Sequence, residues 1–245
     1  MNIELRRDLE QRLLEYVNDY GIPLTENQAR LMVAHLDFLI DKNKVINLTR
    51  ITEPAEGLVL HCLDSLMPLA FISSQIGSQD VVLDVGTGAG FPGIPLAIAT
   101  GAHAVLIDSV GKKVNAVNDF VTVLGLNNVE ALHVRAEELA LERPGSFSYV
   151  FARAVAQSNV LVEYAAPLLK KNGLLVLEKA NPTEDEMAAA NRAAKICGMK
   201  FVSRETCELP NDLGHREILQ YQKVAKSKIK LPRQNGMAKN QPLGI

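Results

Sequence analysis

The chain has 245 residues, 47 % of them apolar, and a formal net charge of −2, enough for the core of one medium α/β domain and too little for a second large one. No signal-type apolar core opens "MNIELRRDLEQRLLEYV", and "LVLHCLDSLMPLAFI" is broken by His61 and Asp64 and is too short to span a bilayer. A soluble, cytoplasmic protein with no membrane partner is therefore expected. Cys62, Cys197 and Cys207 fit neither CxxC pairs nor a disulfide framework, and His35, His61, His103, His133 and His215 lack metal-ligand spacing. Free thiols, structural histidines and no metal site are expected.

In chain order, residues 2 to 20 and 25 to 42 have the periodicity of two amphipathic helices. Thr25 is placed to cap the second with Gln28, and Leu31, Ala34, Phe38 and Leu39 recur along it. "KNKVINLTRI" interrupts the pattern, a short helix can start at Pro54, and residues 58 to 72 continue as apolar helix up to "SSQIGSQD". That loop divides a helical extension, 1–77, from a main domain, 78–224. From residue 80 onward short apolar runs alternate with helical ones. The runs are "VVLDV", "HAVLID", "VEALHV", "YVFARAV" and "GLLVLEK", and the intervening helices begin at Pro92 and cover 112–124, 157–171 and 184–197. Such alternation predicts a doubly wound, mostly parallel sheet covered on both faces. "KFVSRETCEL" and "REILQYQKV" follow with only a loop between them, as a terminal antiparallel pair.

Charge is unevenly spread. From Tyr221 to the end there are six basic residues and no acidic one, which leaves 20 basic against 28 acidic residues in the first 220. Residues 225–245 thus form a basic C-terminal tail, either a solvated end or a contact for polyanions.

The centre of the chain is "VVLDVGTGAGFPGIPLAIA". An apolar strand runs into Gly86, Gly88 and Gly90, and Pro92 suits the first turn of the next helix. Bare backbone at a strand end, facing unpaired N–H groups at a helix start, is a ligand crevice in an open parallel sheet. "GAGFPG" also satisfies the dinucleotide pattern GxGxxG, two residues late for the strand. Asp108, ending the second strand, would accept from a ribose in either an adenosylmethionine or a nicotinamide dinucleotide.

"LDVGTGAGFPGIPLAIA", "LIDSVGKKV", "VRAEEL" and "ARAVA", with "NKVINLTRI" and "LHCLDSL" upstream, resemble in order and spacing the glucose-inhibited division protein B family, the ribosomal small subunit methyltransferase G proteins. The likeness implies a class I methyltransferase fold of seven strands, S-adenosylmethionine as cofactor with S-adenosylhomocysteine as product, and methylation of N7 of one guanine in 16S ribosomal RNA. Carried over by motif, Gly86, Gly88, Gly90 and Phe91 would hold the cofactor in the loop and Asp108 with Ser109 its ribose and adenine side. Ala136 and Glu137 would flank the adenine, and Arg153, the family's arginine at the end of the fourth strand, would complete the cofactor-binding set. No general base is expected, because guanine N7 carries a free lone pair and loses no proton; positioning supplies most of the catalysis. The partner would be 16S rRNA or a precursor of the small subunit, bound by a monomer. Arg50, Lys112, Lys113, Lys179, Lys228 and Arg233, with Lys42 and Lys44, are candidates for phosphate contact. A same-fold methyltransferase for a small molecule or another RNA, and a nicotinamide-dependent oxidoreductase, are the competing readings. The chain departs from the family pattern in "LEKANP", where an acidic residue precedes Lys179 and a glycine is lost, and near the end, where Glu217 follows Arg216.

Overall fold

The computed structural model describes residues 1–245. Helix α1 (Ile3–Asp19) starts at Asn2, whose side chain accepts from the Leu5 amide, and it buries Leu9, Leu13 and Val17, spaced by one turn. Helix α2 (Glu26–Asn43) opens on the expected capping box. The Gln28 side chain also donates to the Ile98 carbonyl at 2.8 Å, so the cap ties this helix to the main domain. The short helix α3 (Pro54–Gly57) runs into a π-helical stretch, Leu58–Leu63, then α4 (Asp64–Leu66) and a 3₁₀ turn, Met67–Ala70.

The main domain alternates β1 (Val81–Val85), α5 (Gly93–Thr100), β2 (His103–Asp108), α6 (Gly111–Leu124), β3 (Val129–His133), α7 (Ala136–Glu142), β4 (Phe147–Arg153), α8 (Ser158–Ala165), β5 (Leu169–Lys179) and α9 (Glu184–Cys197). It closes with β6 (Met199–Glu208) and β7 (His215–Lys223). The strands form one sheet in the order β3-β2-β1-β4-β5-β7-β6, parallel except for β7, which runs antiparallel to both its neighbours. The order reverses between β1 and β4, which places a crevice at their carboxyl ends.

Two details differ from the sequence reading. The helix expected over 157–171 ends at Ala165, and residues from Leu169 onward already belong to β5. Asn172 adopts φ +68°, and a side chain on Gly173 would meet the Ser148 carbonyl oxygen at 2.9 Å, so the strand enters through a bulge that apolar periodicity does not register. Helix α7 was not expected either. Its seven residues are too few for a periodic signal, and it is held at its start by the Glu138 carboxylate, which accepts from the Arg135 amide at 3.1 Å.

Strand alternation sorts the core. Val82, Ala104, Leu106, Tyr149, Phe151 and Val176 face the amino-terminal helices, and Leu9, Leu13, Leu36, Leu58 and Leu63 join them in one continuous apolar cluster. Leu83, Val105, Ile107, Val150, Leu175 and Leu177 face α7, α8 and α9. Residues 1–70 therefore share the sheet's own core rather than building a separate one.

The basic tail is packed against this second layer. Ala238 of α10 (Met237–Asn240) is buried, the Leu243 carbonyl accepts from Asn159, and the Gly244 carbonyl accepts from Arg192. Its anchor is Arg233, whose Nε and Nη2 donate to the two oxygens of buried Glu163 at 2.7 and 2.6 Å. Removing one partner of such a pair leaves an uncompensated buried charge. Arg233→Ala is expected to lower unfolding stability in urea by roughly 3–5 kcal/mol, and the double variant Arg233→Met/Glu163→Leu by much less. Equal losses in the two variants would show that the pair does not carry the anchoring.

Candidate functional site

The loop after β1 is drawn tight by its own backbone: the Thr87 carbonyl accepts from the Gly90 and Phe91 amides at 2.9 and 3.0 Å. Gly86 sits at φ +75°, where a Cβ would lie 2.6 Å from Val155 Cγ2, so both the turn and the close approach of the loop after β4 require glycine. Asp108 organises the far side. Its Oδ2 accepts from the Gly88 amide at 3.1 Å and its Oδ1 from the Val110 amide at 2.9 Å, with Lys113 Nζ 3.9 Å away. One carboxylate thus joins the glycine loop to the start of α6.

Between these elements lies a cleft of about 270 Å³ lined by Gly86, Asp108, Ser109, Lys113, Ala136 and Glu137, with Ile107, Val110 and Val134 as apolar wall and Ala154, Val155, Tyr164 and Lys239 also against it. The donor set fits a nucleoside: a strand-end carboxylate for hydroxyls, an apolar slot for a flat ring, and a glycine with no side chain in the way. Of the residues singled out from sequence, Gly86, Asp108, Ser109, Ala136 and Glu137 line this cleft. Gly88 and Gly90 shape the loop without lining it, and Lys113, expected as a phosphate contact, lies in the wall.

Phe91 and Arg153 are elsewhere. The Phe91 ring is 5 % exposed and stacked between two imidazoles, His35 at 4.3 Å and His61 at 4.8 Å between centroids, so its side chain points under the amino-terminal helices and away from the cleft. Sequence could not show this, because all three residues come from different elements. His35 Nε2 donates to the Ala89 carbonyl at 3.0 Å, and His61 Nε2 lies 3.0 Å from Thr49 Oγ1. Burial lowers both imidazoles, His35 to about 4 and His61 to about 3, the latter helped by Arg153. Arg153 donates from Nη1 to the Leu60 carbonyl, inside the π-helical stretch, at 3.1 Å and to Asp64 Oδ2, at the start of α4, at 3.0 Å, while Arg216 Nε donates to Asp64 Oδ1 at 2.8 Å. A π-helix shifts carbonyls out of the usual ladder and recurs at functional sites; here it supplies one acceptor to Arg153.

Asp84 is not a wall residue. Its Oδ2 accepts from the Gly93 amide at 2.9 Å and so caps α5, and burial pushes its carboxyl up to about 6. The remaining basic candidates divide. Arg50, Lys112 and Lys228 are exposed. Lys179 is paired with Glu186 at 2.7 Å and donates to the Ala156 carbonyl, and Arg233 is taken up by Glu163, so neither is available to phosphate in this conformation. Tyr164 escaped the sequence reading, having no motif, and is pushed up to about 12 by burial and by Glu137; Lys239, one of the six basic tail residues, lines the cleft as well.

The sheet order, the antiparallel β7 and the glycine cleft define a class I S-adenosylmethionine-dependent methyltransferase. In fold the chain is similar to M. jannaschii TYW2, solved in complex with AdoMet (TM-score 0.54, 16 % identity, 71 % of this chain and 77 % of that one). It is also similar to YcgJ from Bacillus subtilis (TM-score 0.51, 15 % identity, 66 % and 98 %). The chain belongs to the rRNA small subunit methyltransferase G family, whose model matches residues 28–218. It is 36 % identical to ribosomal RNA small subunit methyltransferase G of Lactobacillus helveticus over 96 % of this chain and 98 % of that protein. To the Lactococcus lactis subsp. lactis protein of the same name it is 37 % identical over 94 % and 97 %. No helix is long and apolar enough to cross a membrane.

Proposed function

We propose that this protein methylates N7 of a guanine in 16S ribosomal RNA, acting as a cytoplasmic monomer on the RNA or on a small-subunit precursor. The observation that carries the reading is near full-length relatedness to curated rRNA small subunit methyltransferase G proteins, joined to a nucleoside-shaped cleft at the sheet's switch point. Gly86, Asp108, Ser109, Ala136 and Glu137 would hold the cofactor; Gly88 and Gly90 would keep the loop in shape. When bound, S-adenosylmethionine supplies a sulfonium methyl whose carbon–sulfur pair returns to sulfur as a ring nitrogen's lone pair takes the carbon.

The chain's own task is to orient and to exclude water. Asp108, already anchored by two amides, offers its remaining lone pairs to hydroxyls without reorganising. Phe91, clamped between His35 and His61, supports the loop from behind, and no side chain is needed as proton acceptor because N7 loses no proton. The reading is tested by mass mapping of ribosomal RNA from cells with and without the gene. Loss of one methylguanosine in 16S rRNA is expected, and an unchanged modification map would refute the assignment.

A further inference from the structure

The C-terminal segment packs on α7, α8 and α9, and the first two of these helices line the cofactor cleft. Asn235 Nδ2 donates to Glu138 Oε1 of α7 at 2.6 Å, Arg233 donates to Glu163 of α8, and Arg192 of α9 donates to the Gly244 carbonyl. Two further contacts reach the cleft itself. Lys239 lines its wall, and the Gly236 amide donates to Glu137 Oε1 at 2.9 Å. Glu137 is 6 % exposed, and a carboxylate so buried needs a donor. It stands in the first turn of α7, where unpaired helix N–H groups compete for the same oxygens, so a donor from outside the helix fixes how the carboxylate is turned. Gly236 reaches it from φ +82°, a backbone that glycine adopts without strain. The segment lies beyond residues 28–218, the span that the family model matches.

Resting on the assignment of this cleft to S-adenosylmethionine, we propose that the C-terminal tail is part of the cofactor site. The Gly236 amide is a positioning group that sets the Glu137 carboxylate for the nucleoside end of the cofactor, and Lys239 closes the cleft as its outer wall. Docking of residues 233–240 and binding of the nucleoside are then coupled, and the coupling acts equally in both directions. Whatever factor the docked tail adds to nucleoside affinity, the bound nucleoside adds to the docking of the tail. The decisive donor is a main-chain N–H, so the role does not depend on the tail's basic side chains.

The test uses the full chain. Gly236→Pro removes the donor, whereas Gly236→Ala keeps it, and nothing lies nearer to the added Cβ than Asn240 Nδ2 at 3.7 Å. In titration calorimetry Gly236→Pro is expected to bind S-adenosylhomocysteine about tenfold more weakly than the native chain, and Gly236→Ala to lose less. The same factor is expected for 5′-methylthioadenosine, which keeps the nucleoside and lacks the amino-acid end. A purely structural tail would lower the thermal midpoint and leave both affinities of Gly236→Pro at native values, which would overturn the proposal. A loss confined to S-adenosylhomocysteine would do the same, because it would place the effect at the amino-acid end. The native chain gives an independent reading by hydrogen exchange. Saturating S-adenosylhomocysteine should slow exchange in residues 235–240 about tenfold and leave residues 226–230, which pack against the end of α9, unchanged. Equal slowing of both segments, or of neither, would also overturn the proposal. A native protein that binds neither nucleoside, or an Asp108→Ala protein of native affinity, would overturn the placement of the cofactor instead.

Discussion

Gly86→Ala is expected to bind S-adenosylhomocysteine about a hundredfold more weakly than the native chain in titration calorimetry. At φ +75° an alanine is strained by roughly 1–2 kcal/mol. Its methyl carbon would also lie 2.6 Å from Val155 Cγ2, so the loop and Val155, both of which line the cleft, cannot keep their positions. Gly88→Ala separates the two causes. Gly88 also has positive φ, +61°, yet nearest to its Cβ is the Gly86 carbonyl oxygen at 4.0 Å, so it carries strain without collision. About a tenfold loss is expected there. If the two variants bind alike, close packing of the loop against Val155 does not shape the cofactor site.

The second large effect is on acid stability. An imidazole lowered by burial stays neutral in the folded protein, while the unfolded chain takes up the proton as the pH falls through about 6.5. Stability is therefore intact at pH 7 and is lost progressively below, until the folded-state values of about 4 for His35 and about 3 for His61 are reached. From pH 7 to pH 5 each histidine contributes a loss of roughly 2 kcal/mol. Asp84 and Glu178 act oppositely: their raised values mean that acid removes the cost of burying charge, which restores part of the loss. The difference between native protein and His61→Gln isolates the histidine. In urea titrations at the two pH values, the native chain should lose about 2 kcal/mol more than the variant. Parallel losses in both proteins would mean that His61 can be protonated where it stands, and that the stack on Phe91 does not exclude the charge.

The same stack marks where reading the chain stops being sufficient. Phe91 follows the glycine loop directly, and by motif its ring belongs with the cofactor; only the arrival of α2 and the π-helical stretch above it supplies two imidazoles that sandwich it instead. Arg153 is similar. Its place at the end of β4 is visible in "FARAVA", whereas Asp64 and Leu60, which hold it, lie 89 and 93 positions away in the chain. The pairing of Arg233 shows the limit for charge: six basic residues without an acidic neighbour suggest a solvated end, and the compensating Glu163 is 70 residues upstream.

What the amino-acid order determined by itself is most of the local structure: strands of period two, helices of period 3.6, the Thr25 cap, the glycine turn after an apolar strand, and Asp108 at the next strand end. These follow from steric and hydrogen-bonding rules that act over a few residues, and they were enough to specify the sheet and its crevice. Tertiary structure alone decided which charged groups are spent on one another and which remain unpaired. Pairing energy depends on distance and burial between elements, so Lys179 is consumed by Glu186 and Arg233 by Glu163, while Glu178 is left buried with no hydrogen-bond partner.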